Sequence, residues 1–349
     1  MATNPQGTAA AHVGLSQRAA LGSGIAVCAA IAVVALFLGA QMPLIGGPIF
    51  AIIIGLVLAN IPATAQAIAP LQIKTISGMS LRVGIVLLGA TLSLADVART
   101  GLISLEVLAV TMSAGLLFAA FVGKAMGVDW RMRCLIGVGT TICGASAIAA
   151  VAPVIRAKSE EIAYAIPVIF LFNMLAVVIF PIFGHAMGLS DYGFGMWAGT
   201  AVNDTSAVVA AGFGFSQTAG EYATIVKLTR TTLIIPITLA LGLMMPWLDP
   251  EHPAAGGDLM TRVKNAIPVF IGLFVLASLI NTLGLIGPLA PSVRLLARFV
   301  FLLALAGVGL QCGKKAFIGA GFRPLLLGCG CWAVVALSSL LVQSWTGQM

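Results

Sequence analysis

The chain reads as a series of long apolar runs separated by short polar interruptions. Apolar segments cover about 21–40, 46–61, 83–97, 101–125, 133–155, 162–185, 194–215, 222–247, 265–285, 295–312 and 324–345. Most approach the ~20 residues that a helix needs to cross a bilayer. Pro48 suits the first turn of the second segment. The interval holding Pro62, Pro70, Lys74 and Arg82 reads as a polar linker. Residues 1–20 are small and polar and form an expected cytoplasmic tail. Residues 21–345 then make one transmembrane domain, because no interruption is long enough for a separate soluble unit.

Two of these segments are punctuated alike. Gly139-Thr140-Thr141-Ile142-Cys143-Gly144-Ala145-Ser146-Ala147-Ile148 is matched by Gly199-Thr200-Ala201-Val202-Asn203-Asp204-Thr205-Ser206-Ala207-Val208. A weaker likeness joins Pro48-Ile49-Phe50 to Pro268-Val269-Phe270, and Leu88-Gly89-Ala90-Thr91-Leu92 to Ala306-Gly307-Val308-Gly309-Leu310. Matched Gly-interrupted apolar segments are a pointer to a transport site at the interface of two repeats. The expectation is an all-α polytopic membrane protein. It has about nine full transmembrane helices plus two re-entrant hairpins or broken helices, in inverted repeats over about 46–187 and 194–345. Orientation separates hairpin from broken helix. Hairpins keep Arg131, Arg133, Arg156 and Lys158 on the side of the N-terminus with Lys74, Arg82, Arg262, Lys264, Lys314 and Lys315, and leave Arg99, Arg294 and Arg298 opposite. That distribution favours hairpins with a cytoplasmic N-terminus, though a crossing helix stays open.

Composition fixes the class. Hydrophobic residues make up 60% and charged residues 8% of the 349, against roughly 25% charged in a soluble domain. The net charge of +7 sits in loops between apolar runs, which reads as membrane orientation and excludes nucleic acid as a partner. Cys28, Cys134, Cys143, Cys312, Cys329 and Cys331 match no metal or disulfide spacing. His12, His185 and His252 adjoin neither Ser146 nor Ser206, so the chain is expected not to be an enzyme.

The punctuated segments carry the candidate chemistry. Gly139, Gly144 and Gly199 let the backbone leave helical geometry and come close to a ligand. Thr140, Thr141, Ser146, Thr200, Asn203, Thr205 and Ser206 offer polar groups without charge, and unwound helix starts favour anions. Small residues also serve simple helix packing. Asp204 is open to two readings, a cap on a broken helix or a proton- or sodium-coupling carboxylate. Lys227 and Arg230 share a helix face within an apolar run. They read as an oxyanion grip or as side chains snorkelling to the interface, with Glu106 as a counter-charge and a second candidate for coupling.

The run Gly137-Val138-Gly139-Thr140-Thr141-Ile142-Cys143-Gly144-Ala145-Ser146-Ala147-Ile148, then Gly199 to Ser206, then Lys227-Leu228-Thr229-Arg230, resembles the YeiH-like family of bacterial sulfate exporters. The resemblance spans about Leu21 to Trp345. It implies a bacterial inner-membrane protein with two inverted repeats, distantly similar to bile-acid-symporter and antiporter folds. The expected function is ion-coupled secondary transport of a small oxyanion, as export of sulfate or a related sulfur oxyanion, with a passive anion channel as the alternative. No cofactor is expected beyond a coupling proton or sodium ion. The expected partners are the oxyanion, the lipid bilayer and a second copy of the chain in a homodimer.

Overall fold

The computed structural model describes residues 17–42, 46–249, 269–311 and 321–349. The first part of the expected tail, His12, His252, Arg262, Lys264, Cys312, Lys314 and Lys315 lie outside the described residues. Among the described residues the protein is helical throughout, with no strand.

The helices in chain order are α1 (Gln17–Gln41), α2 (Gly46–Asn60), α3 (Pro62–Ile68), α4 (Ile73–Gly89), α5 (Leu94–Ala125), α6 (Trp130–Thr141), α7 (Ala145–Val151) and α8 (Ser159–Ala186). Then come α9 (Asp191–Ala201), α10 (Thr205–Phe215), α11 (Gln217–Thr232), α12 (Ile234–Leu248), α13 (Val269–Thr282), α14 (Ala290–Gln311) and α15 (Phe322–Thr346). Short polar residues start several of them. Ser93, Asp129, Ser190, Asp204 and Ser216 each accept a hydrogen bond from an amide in the first turn of α5, α6, α9, α10 and α11, which satisfies donors that the helix leaves free.

Among the described residues six helical spans, with α11–α12 counted as one, are long and apolar enough to cross a membrane, or seven if the bent pair α2–α3 is one span. The expected nine full spans exceed this number. The difference lies in α2, α4 and α13, whose described parts are 15, 17 and 14 residues long, against the ~20 that span the hydrocarbon. A correction concerns the expected linker. Lys74 and Arg82 sit on α4, a regular helix over Ile73–Gly89. Pro62 and Pro70 mislead there. Pro62 begins the short helix α3, and the backbone re-enters helix by Ile73.

The two Gly-Thr segments double back. At the start of α6, Arg131 Nε donates to the carbonyl of Ile155, 3.2 Å away and past the end of α7. Phe194 at the start of α9 stacks on Phe215 at the end of α10, with ring centroids 4.0 Å apart. Each segment is therefore a hairpin whose ends lie side by side. Their arms of 7 to 12 residues are roughly 10–18 Å long, about a third to three-fifths of the ~30 Å hydrocarbon core. The hairpins open in opposite directions. The first has its base beside the end of α12, where Arg131 pairs with Asp249 at 2.6 Å. The second has its base beside the end of α8, where His185 stacks on Phe215.

Packing sorts the helices into two layers. In one, α14 lies against α2 and α4, with α1 on α2 and α13 on α4. In the other, α5, α8, α11 and α15 enclose the two hairpins.

Candidate functional site

The hairpin tips meet inside the second layer. In the first, α6 ends at Thr141 and the chain reverses at Gly144, whose φ is 68° and ψ −136°. That backbone region is open essentially to glycine alone. A Cβ placed on Gly144 would sit 3.6 Å from the Cβ of Asp204 in the other tip. In the second tip, α9 ends at Ala201 and α10 begins after Asp204. Asn173 of α8 supports this turn, its Oδ1 accepting from the amides of Asn203 at 3.1 Å and Asp204 at 3.0 Å.

Each broken helix leaves carbonyls without intrahelical partners. Lys227 and Arg230 of α11 take them up. Lys227 Nζ donates to Ile142 O at 2.8 Å, to Val202 O at 3.1 Å and to Asn203 O. Arg230 donates through Nε to Thr141 O at 2.5 Å, through Nη1 to Val202 O at 3.0 Å and Gly199 O at 3.4 Å, and through Nη2 to Thr140 O. Both side chains are fully buried, at 0% exposure. All three ammonium protons and all three guanidinium nitrogens are engaged. Positive charge at helix C-termini is stabilising, so the pair neutralises the carbonyl ends of α6 and α9 together. Neither side chain snorkels, and neither faces a cavity. The expected counter-charge is absent as well: Glu106 is exposed on α5, while the two cations are wholly buried and bonded to carbonyls.

The opposite ends of the breaks face open space. A cleft of about 390 Å³ runs between the two layers. Ser146 near the start of α7, and Asp204 and Ser206 at the start of α10, line it together with Asn173. Asp204 caps α10, accepting from Ser206 N at 2.8 Å and from the Ser206 hydroxyl. It is half-buried and borders the cleft, so the cap does not remove it from a ligand's reach. On the other wall α4 contributes Lys74 and Arg82, and α14 contributes Gln311. Asn173, Lys74 and Arg82 were not among the sequence candidates. The signal for the two cations is their spacing with Gly78, at i, i+4 and i+8 on one helix face, hidden by the prolines before them.

The remaining candidates do not reach the cleft. Gly139 packs close to Ile148 and Ile169, and Gly199 close to Val226. Thr141 bonds back to Gly137 O at 2.8 Å, and Thr200 joins Ser339 on α15 at 2.6 Å. Thr140 is buried behind the tip and Thr205 is half-buried. Asn203 is 1% exposed, and neither its amide nitrogen nor its amide oxygen has a partner among the described residues. It retains hydrogen-bonding capacity within the tip.

Beyond the tips the two layers are sealed. Val209 and Phe213 of α10 pack with Ile85 of α4 and with Phe301 of α14, the Phe213 and Phe301 rings 5.3 Å apart. The cleft is therefore bordered by polar helix starts on one wall and ends against an apolar contact.

Short half-membrane arms, opposed hairpins and buried helix-end cations define a multi-pass helical membrane protein with irregular backbone held at membrane depth, where it must be enclosed by protein or line a cavity. Comparison with known sequences places the chain further. Residues 23–328 match the family described as Conserved hypothetical protein 698, and the chain belongs to that family. It is 40% identical over 334 residues to a UPF0324 membrane protein of Streptococcus agalactiae, covering 93% of this chain and 97% of the relative. A UPF0324 membrane protein of Streptococcus mutans is 41% identical over 338 residues, with the same coverages. No solved structure matches the chain.

Proposed function

We propose that the protein is a secondary transporter of small anions in the bacterial inner membrane, with its N-terminus cytoplasmic. The observation that carries this reading is the meeting of two opposed hairpin tips beside an interlayer cleft. Such an arrangement puts helix starts, hydroxyls and a carboxylate at membrane depth, where a transported solute is bound. The anion would bind between Ser146 and Ser206 on one wall and Lys74 and Arg82 on the other. Asp204 would carry the coupling proton or sodium ion, since a carboxylate at this depth is costly unless neutralised or wetted. Export of sulfate or a related sulfur oxyanion is the cargo that the family resemblance supports.

Transport would proceed by rocking of the hairpin layer against the α14 layer, opening the Phe213–Phe301 contact and closing the cleft. That apolar contact argues against a passive channel, which needs a continuous polar path. Reconstitution into vesicles tests the reading. Labelled sulfate loaded on one side should exchange against unlabelled anion and should accumulate when a proton or sodium gradient is imposed. Flux that only dissipates gradients would establish a channel. Absence of any anion flux would remove the function.

A further inference from the structure

The two walls of the cleft differ in kind. On α4, Lys74, Gly78 and Arg82 fall on one helix face, the two cations about 12 Å apart along the axis. Among the described residues neither cation makes a hydrogen bond or an ion pair, and both are exposed. Gly78 lies between them, and a Cβ added there would meet nothing within 4 Å. The facing helix α8 contributes Ile166, Phe170 and Met174, again at i, i+4 and i+8. Among the described residues Asp204 is the one acid that lines the cleft. A ligand thus meets the cations on one side, and on the other the hydrocarbon face of α8 beside the polar tip groups Ser146, Asn173 and Ser206.

A compact inorganic dianion would use only half of this lining. It could bond to the cations and the tip groups, but it would still give up water to the Ile166, Phe170 and Met174 face, which returns no hydrogen bonds, and that is unfavourable. An anion with an apolar body uses both walls. The cleft volume of about 390 Å³ also lies in the range that encloses small organic ligands. We infer that the cleft is built for an amphiphilic organic monoanion, an acidic head such as a sulfonate or carboxylate on a short hydrocarbon body. The head pairs with one of the two cations, and the body runs over Gly78 toward the other, against Ile166, Phe170 and Met174. This rests on the transporter reading and narrows its cargo.

Calorimetric titration of the purified full chain with sulfate, a series from methanesulfonate to hexanesulfonate, hexanoate and hexanol tests it. Affinity should rise about fourfold per added methylene. Hexanoate should bind comparably with hexanesulfonate, and hexanol should bind at least tenfold more weakly. Lys74→Gln with Arg82→Gln should lower affinity for every anion at least tenfold, with thermal unfolding unchanged. Gly78→Leu, whose Cβ would meet nothing within 4 Å, should keep methanesulfonate and lose the gain with chain length. A flat chain-length series, with sulfate bound as tightly as hexanesulfonate and lost in the double variant, would overturn the organic cargo and leave the anion transporter standing. Hexanol bound as tightly as the anions, or anion binding unchanged in the double variant, would overturn the cation head site. No binding of any anion would remove both readings.

Discussion

Two pairs of cations serve the same hairpins in opposite ways. Lys227 and Arg230 are wholly buried and hold the carbonyl ends of α6 and α9. Lys74 and Arg82 stand exposed on the wall that faces the starts of α7 and α10. The first pair joins two broken helices into one unit. The second lines the cleft with its donors exposed. A charged residue in an apolar run draws attention because burial is costly, yet that same cost means its charge is compensated by the fold. The charges that remain available are those the fold leaves unpaired.

The largest expected effect of breaking this contrast is structural. Arg230→Met removes four carbonyl contacts at once and leaves helix ends buried without partners. It should destabilise the protein by about 3–5 kcal/mol, the scale of losing one member of a buried charged network. Thermal unfolding in detergent checks this. Arg230→Lys should recover part of the loss, since the charge stays while the planar fork is lost. Lys74→Gln and Arg82→Gln should leave the unfolding temperature within a degree or two and act only on anion binding. A stable Arg230→Met protein would mean that the tips hold together without the cation.

The next effect falls on coupling. Asp204→Asn keeps the side chain's shape and can still accept from the Ser206 amide through its remaining oxygen, but it cannot titrate. The variant should bind anion and lose the dependence of uptake on a pH or sodium gradient. Transport that keeps the wild-type gradient response would make Asp204 a helix cap alone. A smaller effect is expected at Asn173→Ala. Two tip amides lose their acceptor there, at a cost of about 1–3 kcal/mol for buried groups left unpaired. Stability should fall by less than in Arg230→Met.

Much of this fold could be read from the sequence, and the limits have physical causes. The paired Gly-Thr segments announce the hairpins, and Gly144 marks the reversal because its backbone conformation excludes other residues. The direction in which the chain leaves a tip is set by long-range contacts such as Arg131 to Ile155, which local pattern does not encode. Of the residues that the sequence offers as candidates, Ser146, Asp204 and Ser206 line the cleft. Gly139, Thr140, Thr141, Gly199 and Thr200 belong to the same motif but pack inside the hairpins, because only the starts of the second arms border the cleft. Lys74 and Arg82 were hidden by Pro62 and Pro70, which suggested a linker where α4 supplies a regular helix face. The grip expected of Lys227 and Arg230 is instead a cap, since their partners are backbone carbonyls that a residue pattern cannot show.

The central claim is that the cleft beside the hairpin tips is a transport site reached in turn from both membrane faces. Ser146→Cys, in a background lacking the native cysteines, places a probe at that site. Labelling in oriented vesicles with a membrane-impermeant thiol reagent, with and without anion, tests the claim most directly. The account predicts labelling from either side, slowed by bound anion on both. Labelling from one side alone, whatever anion is present, would contradict it.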